Sequence, residues 1–197
     1  AVLTAQGKLP FEKIHRLRRL GGLPGHPDVH VPGMITNTGS LGMGISKAKG
    51  MAFANRLQGV DSRIYVMTGD GELQEGQIWE SLISAANHRV HEITVIVDHN
   101  QIQSDYSVER TSSLGDLAAK FNAFGWHVEE VNGHDIPALA AALNAAKHDT
   151  ARPSVIIAHT VKGKGVSFME GASIDSDVER FQFHSGAPKA EDYTRAA

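Results

Sequence analysis

The chain has 197 residues, 41% hydrophobic and 21% charged, a balance that excludes intrinsic disorder and suits one globular core. Nineteen basic against 22 acidic residues leave a net charge of -3, which removes the bulk electrostatic case for a nucleic-acid or anionic-membrane partner. With no cysteine there is no disulfide framework, thiol nucleophile or thiolate metal site, and no apolar run approaches the ~20 residues of a membrane span.

The sequence begins without Met and without the basic, apolar and small-residue zones of a secretory leader. A trimmed or incomplete N-terminus and a cytoplasmic location are the expectation. Residues 11–20 form a short basic amphipathic stretch, and 21–33 a loop rich in Gly, Pro and His. Thr38-Gly39-Ser40-Leu41-Gly42 opens a run of small and apolar residues that predicts a helix to Leu57, capped by Thr38 or Ser40 and ended by Gly59. Residues 64–67 predict a strand, closed by Gly69-Asp70-Gly71, and 75–88 a helix. A second strand at 93–97 is closed by polar residues 98–101. A helix at 114–124, capped by Ser112 or Ser113, leads to a third strand at 126–131. Asp135 caps a helix at 137–148, with Pro137 in its first turn, and 154–158 is a fourth strand. The last 35 residues read as a mostly irregular arm. Strand–helix alternation with near-continuous apolar strands implies an α/β fold with a doubly wound, mainly parallel sheet.

Ligands of such sheets bind at the carboxyl ends of the strands, so the loops after Met67 and Val97 are the candidate site. Neighbouring strand ends would bring Asp70 and Asn100 together. A carboxylate, an amide oxygen and a loop carbonyl make a hard-oxygen set suited to Mg²⁺ or Ca²⁺, and the glycines flanking Asp70 allow a phosphate close to the backbone. Taken alone, Gly69-Asp70-Gly71 also reads as a tight turn with a capping Asp.

The interval to Asn100, thirty residues after Asp70, matches the motif of thiamine-diphosphate enzymes. Its continuation, Leu73-Gln74-Glu75-Gly76-Gln77-Ile78-Trp79-Glu80, resembles the transketolase family. So do Gly25-His26-Pro27, Thr38-Gly39-Ser40-Leu41-Gly42, Phe124-Gly125-Trp126, Asn132-Gly133-His134-Asp135 and Val161-Lys162-Gly163-Lys164-Gly165. The resemblance covers nearly the whole chain, in the family's order. It implies the diphosphate-binding domain of the thiamine-diphosphate-binding fold, at residues 1–165, with 166–197 as the arm.

The resemblance also implies roles. Asp70, Asn100 and the carbonyl of Ile102 are the expected Mg²⁺ ligands, with Ca²⁺ able to substitute. Gly71 and Asn100 are expected on the diphosphate, Gly39, Ser40 and Leu41 on the aminopyrimidine end, and Lys162 on the cofactor. His26 is expected on the substrate's oxygens, although it also reads as a solvated loop histidine. His184, in Phe183-His184-Ser185-Gly186, is expected near both diphosphate and substrate. Glu75 resembles a glutamate of the acidic network linking paired active sites, and also reads as a first-turn acid favoured by the helix dipole.

Three features depart from the family pattern. Its upstream histidine motifs are absent before Ala1, Ser104 stands where an aliphatic residue often flanks the cofactor, and Ser185 follows His184 where Gly is usual. The sequence also ends near the close of the diphosphate-binding domain, so the pyrimidine-binding domain, with the glutamate that activates the cofactor, is expected on a separate C-terminal-type subunit in a heterotetramer. The implied activity is transfer of a two-carbon ketol unit from a ketose (phosphate) to an aldose. The alternatives are a specialised two-carbon or acyloin-type transfer in unusual sugar metabolism, or a cofactor-binding homologue without turnover.

Overall fold

The structure is a computed structural model that describes residues 1–174, 180–186 and 188–196; the remaining positions of the expected arm lie outside the described residues. The chain divides into two compact units, Ala1–Met43 and Gly44–Ala197.

The first unit holds a one-turn helix, α1 (Val2–Ala5), and a 3-10 helix at Phe11–Arg16. Arg18 N–H donates to the Leu23 carbonyl at 2.7 Å and Leu23 N–H to the Arg16 carbonyl at 3.1 Å, closing the turn that follows. Asn37 Oδ1 accepts from Val29 N–H at 2.8 Å, and Thr38 N–H donates to the Pro27 carbonyl at 3.2 Å. These two bonds tie residues 27–29 of the Gly/Pro/His loop to 37–38, and His26 lies against Gly39.

The second unit is built in chain order from α2 (Gly44–Gln58), β1 (Ile64–Gly69), α3 (Gly76–Asn87), β2 (Ile93–His99), β3 (Ile102–Gln103), β4 (Tyr106–Ser107), α4 (Val108–Ser112), α5 (Leu117–Ala123), β5 (His127–Asn132), α6 (Ile136–His148), β6 (Ser154–His159), α7 (Ser167–Ile174) and α8 (Ala190–Ala196). β1, β2, β6 and β5, in that spatial order, form an all-parallel sheet, and β3 and β4 form a small antiparallel hairpin. The chain steps from β1 to β2 to β5 in one direction and then turns back to β6. Right-handed crossovers therefore send α3 and α5 to one face and α6 to the other.

Packing follows the strand alternation. Ile93, Val95, Val97, Val155 and Ile157 bury against Ile45, Ala48 and Ala52 of α2, Ile78, Leu82 and Ala85 of α3, and Leu117 and Phe121 of α5. The spacing of Ile78, Leu82 and Ala85 puts them on one face of α3. Trp126 is fully buried at this core's end, and its indole N–H donates to the Leu82 carbonyl at 3.2 Å, so the ring enters the core without an orphaned donor. α6 packs on β5, β6 and β2 with Ala142 and Ala146 buried.

Boundaries differ from the sequence reading in three places. The helix expected from residue 38 begins at Gly44, because Gly39 (φ 109°) and Gly42 (φ 78°) hold left-handed backbone that no α-helix accommodates. α5 is capped by Asp116, whose carboxylate accepts from Ala119 N–H at 2.8 Å; Ser112 ends α4, and Ser113 Oγ donates to Glu109 instead. The stretch read as an irregular arm carries two short helices, α7 and α8. Asp135 caps α6 as expected, accepting from Ala138 N–H at 3.1 Å.

Candidate functional site

β1 and β2 run side by side with Gly69 opposite Asp98, so the residues just beyond them share one end of the sheet. Asp70 leaves β1 there and is 1% exposed. One carboxylate oxygen accepts from Gly71 N–H at 2.8 Å, and the other from Gln101 N–H. Both donors are neutral. Burial holds the Asp70 carboxyl above the usual carboxylate range, against the lowering effect of those two N–H groups and of nearby His99.

The turn after β2 is shaped by Asn100, whose Oδ1 accepts from Ile102 N–H at 3.0 Å. Gln101 takes φ 63°, which aims its N–H at Asp70. Asp70 is thus bonded to the residue between Asn100 and Ile102, and the structure brings the three expected metal ligands to one turn. Gly71 lies against the hairpin: a Cβ there would meet Gln103 Cγ at 2.8 Å and Cβ at 2.9 Å. The bare glycine lets Gln103 of the hairpin pack directly against the backbone of the turn.

Lys162 reaches the same turn from the loop after β6. Its Nζ donates to the Ile102 carbonyl at 3.4 Å and the Ser104 carbonyl at 3.0 Å, and it lies 3.1 Å from His184 Nδ1. Burial pushes the Lys162 amine down, while Asp70, Asp98 and Asp105 pull the other way. Lys162 and His184, expected separately on the cofactor and near its diphosphate, thus lie in direct contact. Farther along the sheet end, His99 Nδ1 lies 3.0 Å from His159 Nδ1, and His159 Nε2 lies 2.9 Å from Glu130.

The other expected residues belong to other elements. Glu75 is exposed at the N-cap of α3 and makes no capping bond with its side chain. His26, Gly39, Ser40 and Leu41 belong to the first unit, where a Cβ on Gly39 would fall 2.6 Å from His26 Cδ2. Among the described residues, no three His, Cys, Asp or Glu side chains converge as a metal group, and no helix is long and apolar enough to cross a membrane. The Asp70 set differs in kind, with one carboxylate, one amide oxygen and one carbonyl.

Four site features escape the sequence. The β3–β4 hairpin has no Asn-Gly or Gly-Gly turn to announce it, with Ser104 at φ 52° in its place. Gln103 as a wall, the Ser104 carbonyl as a lysine acceptor, and Phe181 beneath Lys162 (5.1 Å from Nζ to the ring centre) all depend on contacts between distant segments. His134 alone had a signal, its place in Asn132-Gly133-His134-Asp135. Its Nε2 accepts from Val161 N–H at 2.8 Å and fixes the loop that carries Lys162.

Fold and site together define an α/β domain whose candidate ligand site lies at the carboxyl ends of parallel strands. Residues 2–177 match the family described as transketolase, thiamine diphosphate binding domain, and the chain belongs to the transketolase family. It is 36% identical over 195 residues to one subunit of the apulose-4-phosphate transketolase of Phocaeicola vulgatus, covering 98% of this chain and 66% of that protein. It is 40% identical over 173 residues to 6-deoxy-6-sulfo-D-fructose transketolase subunit SqwG of a Clostridium species, covering 87% and 63%. Among solved structures, a transketolase variant from Pichia stipitis superposes with a TM-score of 0.83 at 31% identity, over 94% of this chain and 28% of that one. The chain thus spans slightly less than two thirds of the curated subunits it matches.

Proposed function

We propose that the chain is the diphosphate-binding subunit of a thiamine-diphosphate-dependent transketolase, which moves a two-carbon ketol unit from a ketose or ketose phosphate to an aldose. One observation carries this reading. Asp70 is a buried carboxylate whose hydrogen bonds, among the described residues, come from neutral N–H groups, so no bonded cation balances its charge. Mg²⁺ supplies the balancing charge, held by Asp70, the Asn100 amide oxygen and the Ile102 carbonyl, with positions left for diphosphate oxygens; Ca²⁺ can substitute. The Ile102 carbonyl already accepts from one cation, the Lys162 ammonium.

Thiamine diphosphate, when bound, supplies the carbon centre that takes up and passes on the two-carbon unit, and the chain holds and orients it. Gly71 and Asn100 contact the diphosphate through the turn. Lys162 and His184 add a positive charge and a hydrogen-bonding ring. Gly39, Ser40 and Leu41 line the aminopyrimidine end. His26 and His184 hydrogen-bond substrate oxygens, and Glu75 belongs to an acidic network between paired sites. Residues 1–165 form the binding domain and 166–197 the arm.

A separate C-terminal-type subunit brings the pyrimidine-binding domain and its activating glutamate, in a cytoplasmic heterotetramer without nucleic-acid or membrane partners. The two curated relatives, each named as one subunit of its enzyme, support a divided transketolase. Their names also favour a second reading, a transketolase dedicated to an unusual sugar.

The test is Asp70→Ala in the reconstituted complex. Mg²⁺-dependent thiamine diphosphate binding, measured by calorimetry, is expected to disappear while the far-ultraviolet circular dichroism stays as in the wild type. Unchanged affinity would remove the metal assignment.

A further inference from the structure

Lys162 is a flexible cation in a half-buried place, where two carbonyls accept from it and one histidine ring nitrogen lies 3.1 Å away. A fourth neighbour faces it. Its Nζ stands 5.1 Å from the centre of the Phe181 ring, within cation–π range. Phe181 is 4% exposed, although its neighbours Arg180 and Gln182 lie at the surface.

Independent bonds fix that ring. Phe181 N–H donates to the Asp105 carbonyl at 2.7 Å, and Arg180 grips the Asp105 carboxylate through Nε at 3.0 Å and Nη2 at 2.7 Å. Phe183 meets Phe181 edge-on at 5.6 Å between ring centres and meets Phe168 of α7 at 5.4 Å. Asp105 directly follows Ser104, whose carbonyl binds Lys162. One corner of the hairpin therefore holds both the ammonium and the ring beside it.

We infer that Phe181 is a positioning residue for Lys162: its ring holds the ammonium on the Ile102–Ser104 turn, and through it sets the affinity for the cofactor's diphosphate. The part concerning diphosphate rests on the reading of Lys162 given above. Apolar bulk alone would fill the same space. Only an aromatic face adds attraction to a cation.

The test uses the reconstituted complex with two readouts. One is thiamine diphosphate affinity in Mg²⁺. The other, made without cofactor, is the rate at which an acylating reagent labels Lys162, followed by mass spectrometry. Phe181→Leu keeps the bulk and removes the ring face. It is expected to weaken cofactor binding about tenfold, equivalent to ~1.4 kcal/mol, and to raise Lys162 labelling several-fold. Phe181→Tyr is expected to preserve both. In a Lys162→Met background, Phe181→Leu is expected to change affinity less than twofold. Arg180→Gln, at the exposed end of the clamp, provides a second variant should Phe181→Leu fold poorly, with the same direction expected in both readouts.

Equal weakening by Phe181→Leu with and without Lys162 makes the ring merely structural and overturns the inference, as does unchanged labelling of Lys162 in Phe181→Leu and Arg180→Gln. Raised labelling alongside full cofactor affinity in Lys162→Met supports the positioning and refutes only the diphosphate role of Lys162.

Discussion

Gly71→Ala probes the fit between the turn after β1 and the hairpin wall. The added methyl would meet Gln103 Cγ at 2.8 Å, Cβ at 2.9 Å and the Gln103 Cα at 3.3 Å. Carbon contacts become comfortable near 3.5 Å, so the overlap is about 0.6–0.7 Å with the nearer atoms. Rotating the side chain relieves Cγ but neither Cβ nor Cα, so the hairpin backbone must move. Overpacking of this kind costs about 1–3 kcal/mol. At about 2–4 °C per kcal/mol for a chain of this size, the midpoint of thermal unfolding is expected to fall by roughly 2–12 °C. Gln103 is bonded in sequence to Ile102, so the same movement shifts a proposed metal ligand. If the whole cost falls on the binding-competent form, thiamine diphosphate affinity drops about five- to 150-fold. Scanning calorimetry and titration calorimetry of the reconstituted complex measure the two effects. Gln103→Gly removes the opposing Cβ and Cγ and is expected to restore most of the lost stability. Wild-type affinity in Gly71→Ala, or a stability loss untouched by Gln103→Gly, would refute the cradle argument.

Gly39→Ala is expected to displace His26, because the new Cβ would lie 2.6 Å from its ring and φ 109° disfavours any side chain. Turnover by the reconstituted enzyme should fall, as it should in His26→Ala, by roughly ten- to a thousand-fold in kcat/KM, the scale of one lost oxyanion donor. A proportional loss of cofactor affinity in His26→Ala would contradict the substrate role. Glu92 yields a pH effect. Burial raises its carboxyl, but the Arg56 guanidinium at 2.5 and 2.7 Å, its own backbone N–H and nearby His91 together outweigh burial and leave it below the ordinary value. The folded form therefore binds this proton more weakly than the unfolded form, and the resulting stability is present above about pH 4.3 and lost as pH falls through the depressed folded value. Denaturant titrations from pH 7 to pH 3 should show a flatter acid limb in Glu92→Gln, and an unchanged slope would refute the pair's contribution. Finally, the purified chain assayed with a ketose phosphate and an aldose should show no transfer until the C-terminal-type subunit is added; robust turnover by the chain alone would sink the divided-enzyme reading.

Features that depend on local pattern were legible before any fold was known. Apolar runs at 93–97 and 154–158 could form little but buried parallel strands, because each alternates with a capped amphipathic segment, whereas the run at 64–67 forms a parallel edge strand that leaves Tyr65 and Met67 exposed. Asp135 followed by Pro137 fixed the start of α6, since a short acceptor side chain and a preset φ act within one turn. The approach of Asp70 to the Asn100 turn was legible for the same reason: each residue follows its own strand, and β1 and β2 lie side by side. Contacts between distant segments were not legible in this way. The chain turns back so that β6 falls between β2 and β5, and only that order delivers Lys162 to the turn after β2. Gln101 and Ser104 hold left-handed backbone that neither residue type favours. The Asp70 carboxylate supports the first and the Lys162 ammonium, drawn to its carbonyl, the second. The Arg180–Asp105 clamp joins residues 75 positions apart, and the Phe181 ring reaches Lys162 from the same distant segment. A charge in a local pattern shows that it needs a partner; which partner reaches it depends on the path of the whole chain.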